Sequence, residues 1–133
     1  METQEIWKKA AAVYILLSGI CILSVSIMSI IGPQLTMNLI KVKLNSTDAF
    51  SSIRGVYGGV GLTIFISLIY LMRNDRQRGL QLLSLLWGFY ALSRIITIMV
   101  EGPLGDFGSQ WLFVELILFG LAITLLFLGK GHD

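Results

Sequence analysis

Two arginines and two glutamates stand in or at the edge of apolar sequence: Arg54, Arg94, Glu101 and Glu115. Arg94 is followed by Ile95-Ile96-Thr97-Ile98-Met99-Val100, and Glu115 is enclosed by Phe113-Val114 and Leu116-Ile117. An arginine offers five donors in a planar fork that matches carboxylate or phosphate. A carboxylate beside it can hold the fork in place, or take and release a proton. Helical spacing adds neighbours to each charge. Trp87, Tyr90, Arg94 and Glu101 share one stripe, Arg54, Tyr57 and Gly61 a second, and Trp111 and Glu115 lie one turn apart. The chemistry this suggests is capture of an anionic or carbonyl-bearing molecule, with Arg54, Tyr57, Tyr90, Arg94, Glu101 and Glu115 as the ligand-binding set.

Those charges are carried by four apolar stretches, at about residues 10–31, 53–72, 79–100 and 110–128. As helices they measure roughly 28–33 Å, against a hydrocarbon core of about 30 Å. Hydrophobic residues make up 55% of the 133-residue chain and charged residues 14%. A soluble domain usually carries about a quarter charged residues, and one this short has too little interior to bury so much apolar surface. Lipid removes that constraint. Within lipid the backbone must bond to itself, so the stretches are helices; the alternation a barrel would need is missing. The expectation is an all-α, antiparallel four-helix membrane bundle, forming a single domain over residues 1–133.

The breaks fit this reading. Gly32-Pro33 ends the first helix, since proline removes a donor and clashes with the preceding turn. Arg73-Asn74-Asp75-Arg76-Gln77-Arg78 forces a hairpin between the second and third, and Gly102-Pro103-Leu104-Gly105-Asp106 another between the third and fourth. The long link before the second span has room for a short helix on the membrane surface. Lys8, Lys9, Arg73, Arg76, Arg78 and Lys130 fall on one side of the membrane. Lys41 and Lys43, with Arg54 just inside a helix start, fall on the other. The positive-inside rule then places both termini in the cytoplasm. Trp7 and Tyr70 come near the inner interface and Trp111 near the outer one, as anchoring rings would.

On that topology all four charges belong to the outer leaflet. Arg94 lies about 9 Å below the boundary and Glu115 about 7–8 Å. Two readings are open. In one, Arg94–Glu115 is an ion pair that fixes packing, with Arg54–Glu101 a second pair at the rim. In the other, the arginines bind a ligand. Desolvation can outweigh attraction in a buried pair, which makes burial for stability alone a weak reason and favours the site. Gly55 and Gly59 have the small-xxx-small spacing of membrane helix contacts, and no Lys-Ser/Thr follows to make a phosphate loop of them.

Several function classes drop out. A net charge of +2 with no dense basic tract gives no nucleic-acid signature. Cys21 is the single cysteine and His132 the single histidine, so no metal set is expected, nor any cofactor. His132 reads as a solvated tail residue. The apolar run from residue 10 exceeds a signal peptide's core, which points to a retained first helix. Ser51, Ser52 and Ser93 have no base nearby to activate them. Asp48 and Asp106 read as solvated loop residues, and Asn45-Ser46-Thr47 as a three-residue acceptor pattern for glycosylation.

The glycine-proline end of the first helix, Arg54-Gly55-Val56-Tyr57-Gly58-Gly59, the internal Arg94, the Glu101-Gly102 turn and Glu115 together resemble a family of small bacterial four-helix membrane proteins. That family is known as domain of unknown function 4345, and is more distantly similar to DoxX-like proteins. The resemblance implies a compact multi-pass bundle of the bacterial inner membrane. It implies no reaction. The cysteine pairs of quinone-linked redox membrane proteins are missing here.

The function expected is therefore a non-catalytic one: an outer-leaflet polar pocket holding an anionic lipid headgroup or small anion. Membrane lipid, a small anion or lipid-like ligand, and a second copy of the chain are the partners considered. A small proton-coupled transporter is the alternative, and 133 residues would have to dimerise to enclose a pathway. An enzyme acting on a lipid or quinone is the other.

Overall fold

Proline and glycine set most of the helix boundaries. In the computed structural model, which describes residues 1–130, α1 runs Glu2–Ile31 and stops where Pro33 can supply no N–H. Gly32 is extended, as a residue before proline prefers, and Pro33 opens the short helix α2, Pro33–Leu39. A Schellman closure ends α2: the Val42 N–H reaches the Met37 carbonyl (3.0 Å) and the Lys41 N–H that of Asn38 (3.2 Å). Lys41 takes the left-handed position, φ 60°, that glycine usually fills there. The histidine expected to be a tail residue, His132, lies outside the described residues.

Ser46 caps α3, Thr47–Ile53, by accepting from the Ala49 N–H. A π-helical turn, Arg54–Gly59, and α4, Val60–Asn74, continue without a break, making one helix of 28 residues. Asp75 alone separates α4 from α5, Arg76–Glu101, and caps α5 through the Arg78 N–H. Gly102 ends α5 at φ 110°, a conformation side chains resist. Helix α6 is Asp106–Gly129. No strand occurs among the described residues.

Four helices are thus long and apolar enough to cross a membrane: Glu2–Ile31, Thr47–Asn74, Arg76–Glu101 and Asp106–Gly129. At most a third of the apolar window of any of them is buried inside the protein. The remaining apolar surface needs lipid. The chain is an all-α helical bundle and a multi-pass membrane protein. Its helices begin before the apolar stretches read from the sequence, because each first turn is polar. Asp48 and Asp106 correspondingly sit in first turns of α3 and α6, not in loops, where a negative charge suits the positive end of the helix dipole. Ser46, at the centre of the glycosylation pattern, is a helix cap.

The chain forms two compact units. The first comprises Met1–Ile15 and Leu71–Asp133. Within it α5 and α6 run antiparallel, with Gly88 against Phe119: a Cβ at Gly88 would meet that ring at 2.9 Å. The start of α1 also lies antiparallel to α6. Trp7 donates its indole N–H to the Leu125 carbonyl (2.8 Å), and Tyr14 its hydroxyl to Leu118 (2.6 Å). Both rings are buried. Trp7, expected to be an interfacial anchor, fastens one helix to another. Its companions Ala11, Tyr14 and Ile15 follow at helical spacing, and all are buried.

The second unit is Leu16–Tyr70. Here α1 and the long helix Thr47–Asn74 run antiparallel, and the glycines in contact are Gly58 and Gly61. A Cβ on Gly58 would strike Ile30, and one on Gly61 would strike Ser26. Gly55 and Gly59, the pair expected from their spacing, face open space instead. A spacing of four does keep the two on one face, and that face is the one away from α1, whereas Gly58 and Gly61 lie on the side that packs. Ser29 and Thr36 share a buried hydrogen bond of 2.7 Å that ties α2 to α1. Gln34 holds the segment after α2 by donating to the Val42 carbonyl and accepting from the Leu44 N–H.

Candidate functional site: an arginine–glutamate pair between apolar helices

Arg94 follows the inward face of α5, which Leu80, Leu83, Trp87 and Ala91 define by being buried at steps of three and four. Glu115 occupies the facing position on α6. The antiparallel register that puts Gly88 on Phe119 brings these two side chains together. Arg94 Nε donates to Glu115 Oε1 in a charge-assisted hydrogen bond. The Glu115 side chain is only 2% exposed, whereas that of Arg94 is 27% exposed. The carboxylate is sealed, and the guanidinium reaches a partly open surface. Phe107, in the first turn of α6, places its ring 5.9 Å from the Arg94 Cζ, within reach of a cation–π contact. Phe107 in turn lies against Trp111, with ring centroids 6.2 Å apart.

Arg94 is seven residues from the end of α5 and Glu115 nine from the start of α6, or about 10 and 13 Å along their axes.

The other expected residues are placed less favourably for a single pocket. Tyr90 is 46% exposed, on the flank of the buried face, where its ring meets Trp87 at 5.9 Å. It also borders an open apolar hollow of about 310 Å³ lined by Leu82, Leu85, Leu86 and Phe89. Those side chains suit acyl chains rather than an anion. Glu101 is exposed at the last position of α5. The stripe expected to turn inward as a whole does so only at Trp87 and, in part, Arg94.

Arg54 and Tyr57 belong to the second unit, whereas Tyr90, Arg94, Glu101 and Glu115 belong to the first. Arg54 is not at a helix start but in the π turn, two turns into the helix. Its Nε donates to the Ile30 carbonyl (2.9 Å), near the C-terminus of α1. That last turn has no basic residue of its own, so Arg54 supplies the cation that a helix C-terminus favours. Tyr57 is 38% exposed on the same turn. Sequence reading missed Phe107 and the Ile30 carbonyl. Phe107 had a usable signal, since it lies about two turns before Glu115 on α6; a backbone acceptor has none.

No curated protein and no solved structure matches the chain. A family model does, over residues 10–126, described as a domain of unknown function. That match spans all four long helices and the arginine–glutamate pair, so the chain belongs to the DUF4345 family.

Proposed function

We propose that Arg94, held by Glu115, binds an anionic lipid headgroup or small anion in the outer leaflet. The observation that carries this reading is the asymmetry of the pair: a sealed carboxylate fixing a half-open guanidinium. Nε is committed to Glu115, and the outer edge of the fork remains for phosphate or carboxylate oxygens. A buried pair is weak evidence for stability, because desolvation offsets its attraction. A positioned donor set gives it a purpose. Phe107 stacks near the guanidinium and limits its motion, and the nearby apolar hollow beside Tyr90 fits the acyl portion of a lipid. Glu101, at the helix end, borders the approach from the headgroup layer. The bias of Lys and Arg supports termini in the cytoplasm, which sets Arg94 in the outer half of a bacterial inner membrane. Arg54 and Tyr57 are left out of this site.

The test is native mass spectrometry on gently purified protein, comparing the wild type with Arg94→Met combined with Glu115→Gln. The double variant keeps the volume and removes both charges. The expected result is a folded helical protein that retains one acidic lipid or anion fewer than the wild type. A double variant with as many such adducts as the wild type, or a functional wild type that is always empty, overturns the reading.

A further inference from the structure

At the opposite end of the first unit, the start of α1, the start of α5 and the end of α6 converge. A Cβ on Gly129 would strike the Trp7 ring and lie 2.8 Å from Gln77 Oε1, and Trp7 bonds to Leu125. These contacts gather Lys8, Lys9, Arg73, Arg76, Arg78 and Lys130 near one end, against the acids Glu2, Glu5 and Asp75. Lys8 pairs with Glu5 at 3.9 Å and Arg78 with Asp75 at 3.3 Å, while Lys130 lies over its own helix's Phe127 ring. Among the described residues, Lys9, Arg73 and Arg76 have no acidic partner.

Arg76 adds a second observation. Its Nε is buried and has no hydrogen-bond partner. A buried donor left unmet costs about 1–3 kcal/mol, so such groups call for an acceptor. We propose that this end of the unit is a phosphate-recognising site for an anionic phospholipid, with Arg76 at its centre and Arg73 and Lys9 beside it. A lipid is the occupant the fold favours, because these charges lie at the ends of helices long and apolar enough to cross a membrane. Basic residues at such helix ends are attracted to anionic headgroups. This site is independent of the Arg94 pair, which lies far along the same helices.

The experiment is native mass spectrometry of the full chain with added phosphatidylglycerol or phosphatidylcholine of the same acyl chains. The wild type is expected to retain phosphatidylglycerol preferentially. Arg76→Gln should weaken that retention about fivefold, the scale of one surface basic residue, while Arg78→Gln, whose side chain is already held by Asp75, should leave it nearly unchanged. Arg73→Gln, an exposed change at the end of α4, should weaken it too and guards against an Arg76 variant that fails to fold. Equal retention of the two lipids by the wild type overturns the proposal. So does unchanged retention in both the Arg76 and Arg73 variants. Displacement of the lipid by equimolar inorganic phosphate would overturn the lipid as occupant.

Discussion

Arg94 on α5 and Glu115 on α6 are joined by one hydrogen bond, yet only the carboxylate is sealed. Removing either partner alone therefore has unequal consequences. Arg94→Met leaves an uncompensated carboxylate inside the protein and should lower stability by about 3 kcal/mol. Adding Glu115→Gln should recover most of that loss. Thermal unfolding in a mild detergent, followed by circular dichroism, measures both. A single variant as stable as the double would mean the carboxylate does not depend on its arginine.

Arg54 offers a contrast, because its partner is a backbone carbonyl at a helix end. Arg54→Leu should cost about 1 kcal/mol, the usual worth of such a bond. The loss should appear locally, as faster hydrogen exchange in the last turn of α1. Exchange there at the wild-type rate would remove Arg54 from its capping role.

The glycines of the π turn and of the first turn of α4 divide into two classes. Gly61→Ala brings a methyl group against Ser26 and should destabilise by about 1–3 kcal/mol, as overpacking does. Gly58→Ala, against Ile30, should act in the same direction. Gly55→Ala and Gly59→Ala meet nothing and should be neutral or slightly stabilising, since alanine loses less entropy in a helix. Melting temperatures of the four variants check the ranking. Equal effects at Gly55 and Gly61 would show that the packed face is misassigned.

Lys41 closes α2 in a left-handed conformation that costs a side chain roughly 1–2 kcal/mol. Lys41→Gly should stabilise the closure and slow exchange of the Val42 amide, which bonds to Met37. Lys41→Val, branched at Cβ, should do the reverse. A destabilising glycine variant would mean that the lysine side chain makes an interaction worth more than the strain.

Much of the architecture was readable from local sums along the chain. Apolar runs of the right length became the four long helices, and Gly32-Pro33 and Gly102 became breaks because donors and φ angles are properties of single residues. The polar first turns at Thr47 and Asp106 escaped notice, since a hydropathy window averages them away; caps such as Ser46 mark them better. Arg94 and Glu115 were recognisable as partners from depth and helical face alone. Arg54 was not recognisable as a cap, because its acceptor is a main-chain oxygen that every residue possesses.

The sequence by itself determined how many times the chain can cross a membrane, where each crossing stops and which charges enter the apolar zone. Only the tertiary structure decided which glycines touch α1, which half of the arginine–glutamate pair stays open, and that Trp7 points at another helix. The reason is register. Burial and hydrogen bonding between helices depend on their relative rotation, and a single π turn rotates everything after it without changing the composition that a sequence displays.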